Sequence, residues 1–145
     1  MRFWDASGLV PLLVQQARSR DVQTLLSGDS HVVAWWGTQV ECLSALLRMV
    51  REGHLDQGQV TEAERRLDTL RQSWDEVLPT EACRRTAERM LRVHALRSAD
   101  SFQLAAALIA SDHDPARMEF VCLDQRLAEA GRKEGFVDPL TVAAV

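Results

Sequence analysis

Short β-type runs alternate with helical stretches along this chain, and that alternation restricts its fold more than any other feature. Arg2-Phe3-Trp4, residues 31–36, Glu76-Val77-Leu78-Pro79 and residues 119–123 are runs of strand length, rich in aromatic and β-branched side chains. Helical periodicity fills the intervals between them. Strands separated by helices pair in parallel, and a parallel sheet is buried on both faces. The expected fold class is therefore α/β. It has a central parallel sheet of four to five short strands, with Phe136-Val137 as the edge candidate, flanked by helices on both faces.

The helices can be placed in turn. Leu9, Val10, Leu12, Leu13 and Val14 mark the first, with Pro11 expected in its first turn, where a missing N–H costs little. A second runs from about 20 to 26 and closes at Ser27-Gly28-Asp29. Gly37-Thr38 opens a third, whose Val40, Leu43, Leu47 and Val50 recur at three- and four-residue steps until Gly53. A fourth spans about 59–73, with Val60, Ala63, Leu67, Leu70 and Trp74 on one face; it forms a helical hairpin with the third. Thr80 caps a fifth that reaches about His94, with Ala82, Ala87, Met90, Leu91 and Val93 inward. The stretch 101–110 is apolar nearly all round and should be central. Leu127, Ala128 and Ala130 mark a seventh helix ending at Gly131 or Gly135. One domain over 1–140 and a loose tail over 141–145 are expected.

Bulk properties exclude several classes. A 46% hydrophobic and 26% charged composition is that of a globular chain rather than a disordered one. No apolar run approaches the ~18 residues of a membrane span, so no membrane association is expected. Asp5 falls where the apolar core of a signal peptide would lie, which points to a cytoplasmic protein. Cys42, Cys83 and Cys122 are too scattered for a zinc site or a disulfide framework, and His31, His54, His94 and His113 lack ligand spacing. A net charge of −4 does not advertise nucleic-acid binding. Lys133 is the only lysine, however, and arginine grips phosphate with a bidentate fork. Arg84, Arg85, Arg89, Arg92 and Arg97 read either as a phosphate path or as a solvated helix face.

Four acids carry the chemistry. Ligands of an open parallel sheet bind beyond the carboxyl ends of its strands. Asp5 and Asp124 follow two strands at that edge, while Glu41 and Asp100 fall in the first turns of two helices. Four carboxylates in one small space repel one another and stay ionised together when cations neutralise them. Oxygen donors suit Mg²⁺ or Mn²⁺. Each acid also has a plain structural reading. Thr38-x-x-Glu41 matches a capping box, and Asp5, Asp100 and Asp124 suit helix N-termini. Ser, Thr or Asn would cap as well, yet all four positions are acidic. Ser7 fits either a contact to water or phosphate at the site or a helix-start hydrogen bond.

Phe3-Trp4-Asp5-Ala6-Ser7-Gly8-Leu9, Thr38-Gln39-Val40-Glu41, Arg97-Ser98-Ala99-Asp100-Ser101-Phe102-Gln103-Leu104-Ala105 and Phe120-Val121-Cys122-Leu123-Asp124-Gln125-Arg126-Leu127 together resemble the PIN domain, and within it the VapC-type toxins of bacterial toxin–antitoxin pairs. The resemblance runs from Met1 to about Pro139. It implies an Mg²⁺- or Mn²⁺-dependent ribonuclease acting on RNA, with Asp5, Glu41, Asp100 and Asp124 as catalytic and metal-holding residues. It further implies a homodimer and a small antitoxin that blocks the acidic groove. Many relatives carry Ser or Thr at the place of Cys122. Trp35-Trp36 reads as core or interface, or as an RNA-stacking platform.

Two other enzyme classes fit poorly. An aspartyl phosphatase needs a second aspartate two residues after the first, where Ser7 stands. A phospho-receiver domain needs paired acids there and a well-placed lysine. The non-enzymatic alternative is a PIN-like RNA- or protein-binding module with weak or no activity.

Overall fold

A computed structural model describes residues 1–142. Four strands, β1 (Arg2–Trp4), β2 (Val32–Trp35), β3 (Asp75–Val77) and β4 (Glu119–Val121), form one parallel sheet in the order β3-β2-β1-β4. The α/β expectation holds. Side chains alternate across the pleat, so β1, β2 and β4 each feed two cores. Phe3, Val33, Trp35 and Phe120 face one core, and Trp4, Val32, Ala34 and Val121 the other. The second is covered by α1 (Ala6–Leu13), α3 (Thr38–Arg51) and α4 (Gln57–Ser73). The first is covered by α5 (Glu81–Val93), α6 (Ser98–Ala110) and α7 (Gln125–Glu134). The short α2 (Ser19–Gly28) buries Val22 in the second core.

Several local expectations change. Pro11 lies in the second turn of α1, not the first, so the Ser7 carbonyl loses its helical donor. The buried face of α3 is Thr38, Cys42 and Leu46, while Val40 and Leu47 are exposed. Thr38 and Glu41 are tied to α6 by hydrogen bonds described below, and that anchor turns positions 42 and 46 inward. α5 buries Cys83, Thr86, Ala87 and Met90, leaving Ala82, Leu91 and Val93 outside. Thr86 tolerates burial because its hydroxyl donates to the Ala82 carbonyl at 2.9 Å. Cys83, Thr86 and Ala87 are small, which lets α5 lie close against α6.

The edges differ too. Phe136-Val137 contributes a single parallel bridge from Val137 to Glu119 rather than a strand. α7 runs through Gly131 and ends at Gly135, whose φ of +107° suits glycine. His31 and Trp36 flank β2 and are exposed, whereas Trp35 is buried and stacks on Phe102 with ring centroids 5.2 Å apart. A final helix, α8 (Pro139–Val142), takes up the first two positions of the expected tail, with Leu140 buried. Residues 143–145 lie outside the described residues. Among the described residues no helix is long and apolar enough to cross a membrane.

The connections place the site. Helices between β1, β2 and β3 lie on one face of the sheet, and those between β3 and β4 on the other. The winding reverses between β1 and β4, and a crevice opens where it does.

Candidate active site

Asp5 leaves β1 at this crevice and caps α1. Its backbone N–H donates to the Val121 carbonyl of β4 at 3.2 Å, fixing the two strand ends side by side. Its carboxylate accepts the Gly8 N–H at 3.1 Å and the Ser7 hydroxyl at 2.7 and 2.9 Å. Asp5 is only 4% exposed. Burial raises its pKa to about 6, against the lowering effect of the Ser7 and Gly8 hydrogen bonds.

Ser7 does more than start a helix. Its oxygen also accepts the N–H groups of Leu123 at 2.8 Å and Asp124 at 3.1 Å. One hydroxyl thus joins the carboxylate after β1 to the loop after β4. Cys122 stands beside it, with Sγ 3.6 Å from Ser7 Oγ, and its thiol donates to the Asp124 carbonyl at 3.4 Å. The thiol supplies a polar hydrogen beside the Ser7 hydroxyl. Asp124 Oδ1 accepts the Leu127 N–H at 3.0 Å, so its capping role is real, and its side chain is exposed.

Glu41 is not part of a capping box. Gly37 is the N-cap of α3 and Thr38 the first helical residue, with no side-chain cap. Instead Gln103 Nε2 donates to Glu41 Oε2 at 2.7 Å and to Thr38 Oγ1 at 3.0 Å. Gln103 is fully buried, and among the described residues its Oε1 has no hydrogen-bond partner. Burial raises the Glu41 pKa to about 7; the Gln103 bond opposes this, and the charges of Asp5 and Asp100 add to it. Read from the sequence, Thr38 has a capping role instead of this bond, and Gln103 has no role of its own. The available signal was a single amide in an apolar helix, three residues after Asp100.

Asp100 sits in the first turn of α6, held near the end of β2 by the stack of Phe102 on Trp35. Its pKa is raised by desolvation and by Asp124, while Arg97 and Arg126 pull it down. Asp5, Glu41, Asp100 and Asp124 all line one pocket, together with Ser7 and Arg48. Among the described residues, no three His, Cys, Asp or Glu side chains are drawn together tightly enough to form a ready-made cation cage. The pocket is an open cluster of oxygen donors, not a closed chelate.

The arginine path is corrected in part. Arg84 and Arg85 pair with Glu81 within α5. Arg97 lines the pocket next to the acids, where Arg126, not singled out from the sequence, joins it. The larger cavity of the molecule, between the end of α1 and the α3–α4 hairpin, is lined by Gln15, His54 and Arg66 and contains none of the four acids.

Fold and pocket define an α/β protein with an acidic crevice at the switch point of a parallel sheet. The sequence matches no family model. It is similar to two ribonucleases of Mycobacterium tuberculosis, Ribonuclease VapC45 of strain CDC 1551 / Oshkosh and Ribonuclease VapC49 of strain ATCC 25618 / H37Rv. Each is 29% identical over 110 residues, which cover 76% of this chain and 76% of the relative.

Proposed function

We propose that the chain is a metal-dependent endoribonuclease that hydrolyses RNA phosphodiester bonds. One observation carries this reading: four carboxylates from four separate segments line a single pocket. The similarity to two ribonucleases supports it. The donor set fits Mg²⁺ or Mn²⁺, with Asp5, Asp100 and Asp124 as the holding residues and Glu41 completing the cluster. Mg²⁺ retains several waters and takes one or two carboxylates, so acids that stand apart suit it. When bound, such a cation offsets the carboxylate charge and stabilises negative charge developing on the phosphate.

The chain's own groups do the rest. Ser7 and the Gly8 N–H orient Asp5. Gln103 holds Glu41 by Oε2, so Oε1 is the atom that orients the attacking water and takes its proton. A pKa near 7 suits that proton transfer. Water adds to phosphorus, one P–O bond breaks, and the departing oxygen ends protonated.

The test is cleavage of labelled RNA with Mg²⁺ or Mn²⁺. Asp5→Asn and Asp100→Asn are each expected to lower the rate at least roughly 100-fold, the scale of losing a group that stabilises transition-state charge. Equal rates for mutants and wild type, or an unchanged rate in EDTA, would sink the reading. RNA binding without cleavage by the wild type would favour a PIN-like binding module instead. The resemblance extends the proposal to a VapC-type toxin, with an antitoxin covering the acidic groove and a homodimer built on the α3–α4 hairpin. The expected finding is a short neighbouring reading frame whose product abolishes cleavage.

A further inference from the structure

The acidic pocket does not end at its acids. Asp100 and Asp124 are shared with a second, larger pocket of about 550 Å³, whose other walls are Arg97, Ala99, Gln125 and Arg126. Both arginines are exposed. Both act on Asp100 through space, yet among the described residues neither forms an ion pair with Asp100 or Asp124. Two guanidinium groups are thus kept near the acids without being consumed by them. Space of this size holds a nucleotide-sized group between them.

The backbone adds donors on the same wall. α6 begins at Arg97 with no side-chain cap, so the N–H groups of its first turn keep their hydrogen-bonding capacity. Ala99, from that turn, lines the pocket. An uncapped helix start between two arginines favours an anion. Beyond Arg126, in the neighbouring pocket, Lys133 pairs with Glu129 and His94 with Glu134. The opposite exit from the acids passes Arg48 into the large cavity, whose wall mixes Arg48, His54 and Arg66 with Glu52, Asp56 and Glu62 and so offers a phosphate no uniformly basic path.

We propose that Arg97 and Arg126 form a phosphate-binding subsite that receives the RNA backbone phosphate next to the one being cut. This rests on the ribonuclease reading and gives the strand a direction: away from the acids, across the starts of α6 and α7. The two arginines are positioning residues. They hold the neighbouring phosphate and so register the scissile one over the acids.

The test uses Asp5→Asn protein, so that RNA stays intact, and a fluorescent single-stranded RNA titrated in Mg²⁺ at several salt concentrations. Arg97→Ala and Arg126→Ala should each weaken binding about tenfold and flatten the salt dependence by about 0.7 per lost phosphate contact. Arg97→Gln repeats the measurement with the stem retained, and Arg84→Ala on α5 should stay within about twofold of the parent. In otherwise wild-type protein the pair of alanines should raise KM for RNA much more than it lowers kcat. Unchanged affinity and salt slope in the double variant, or no RNA binding by the parent, overturns the subsite. Binding that depends on both arginines in a protein that never cleaves keeps the subsite and removes the nuclease reading. Cleavage with an unchanged KM in the double variant does the reverse.

Discussion

Ser7 Oγ has one proton and two lone pairs, and the fold engages all of them. The proton goes to Asp5, and the lone pairs take the N–H groups of Leu123 and Asp124. Ser7→Ala leaves two amides and a buried carboxylate short of a partner. The cost of such orphaned groups is about 1–3 kcal/mol. Urea denaturation should show a loss of that size, and RNA cleavage should fall as well, because Asp5 and the Asp124 loop lose their common tether. A variant as stable as wild type would mean that water replaces the hydroxyl without penalty. From the sequence, Ser7 read equally well as a helix-start residue or as a site contact. Its partners at 123 and 124 are remote in the chain, and no local pattern announces them. Asp5 was legible because it follows a strand at the carboxyl edge of a parallel sheet, where ligands bind. Glu41 was legible from its place in the first turn of the helix after β2; its competing reading as a capping-box residue of Thr38 fails, since the carboxylate is held from α6 by Gln103.

At the level of elements, α1 and β4 meet more closely than a side chain permits. A Cβ added at Gly8 would stand 2.7 Å from the Val121 carbonyl oxygen, the same oxygen that accepts the Asp5 N–H. Strand backbone cannot retreat as a flexible side chain does, so Gly8→Ala should push α1 away from β4. The expected loss is about 2 kcal/mol, within the range for overpacking, and it should separate Asp5 from Asp124 and depress cleavage. Gly28→Ala, where a Cβ meets nothing within 4 Å, serves as the control and should be neutral or slightly stabilising. Equal melting temperatures for Gly8→Ala and Gly28→Ala would contradict this account. The order and identity of the elements could be read from periodicity, but the faces of α3 and α5 could not. Periodicity counts apolar residues, and α3 turns on polar anchors at Thr38 and Glu41, while α5 buries Cys83 and Thr86 because they are small.

For the whole molecule, the topology brings acids from both halves of the chain to one crevice, and the price appears as proton affinity. The strand endings made that crevice legible in the sequence; the proton affinity was not, because it depends on how deeply each carboxylate is buried. Burial lifts Asp5 from 3.8 to about 6 and Glu41 from 4.5 to about 7. The folded chain therefore holds protons that the unfolded chain has already released, and stability falls as pH rises. The contribution is complete below pH ~4 and is lost as pH climbs through about 6 and 7. For Asp5 alone the difference between pH 4 and 8 is on the order of 3 kcal/mol. A divalent cation binding the ionised cluster must displace these protons, so its apparent affinity should rise over the same window. Scanning fluorimetry of metal-free protein should show the melting temperature falling by several degrees from pH 5.5 to 8. Millimolar Mn²⁺ should have little effect at pH 5.5 and should offset most of that fall at pH 8. Asp5→Asn removes one titrating group and should flatten the metal-free profile while weakening the Mn²⁺ effect. If the curves with and without Mn²⁺ coincide at every pH, the four acids do not hold a cation, and the crevice must work by some other chemistry.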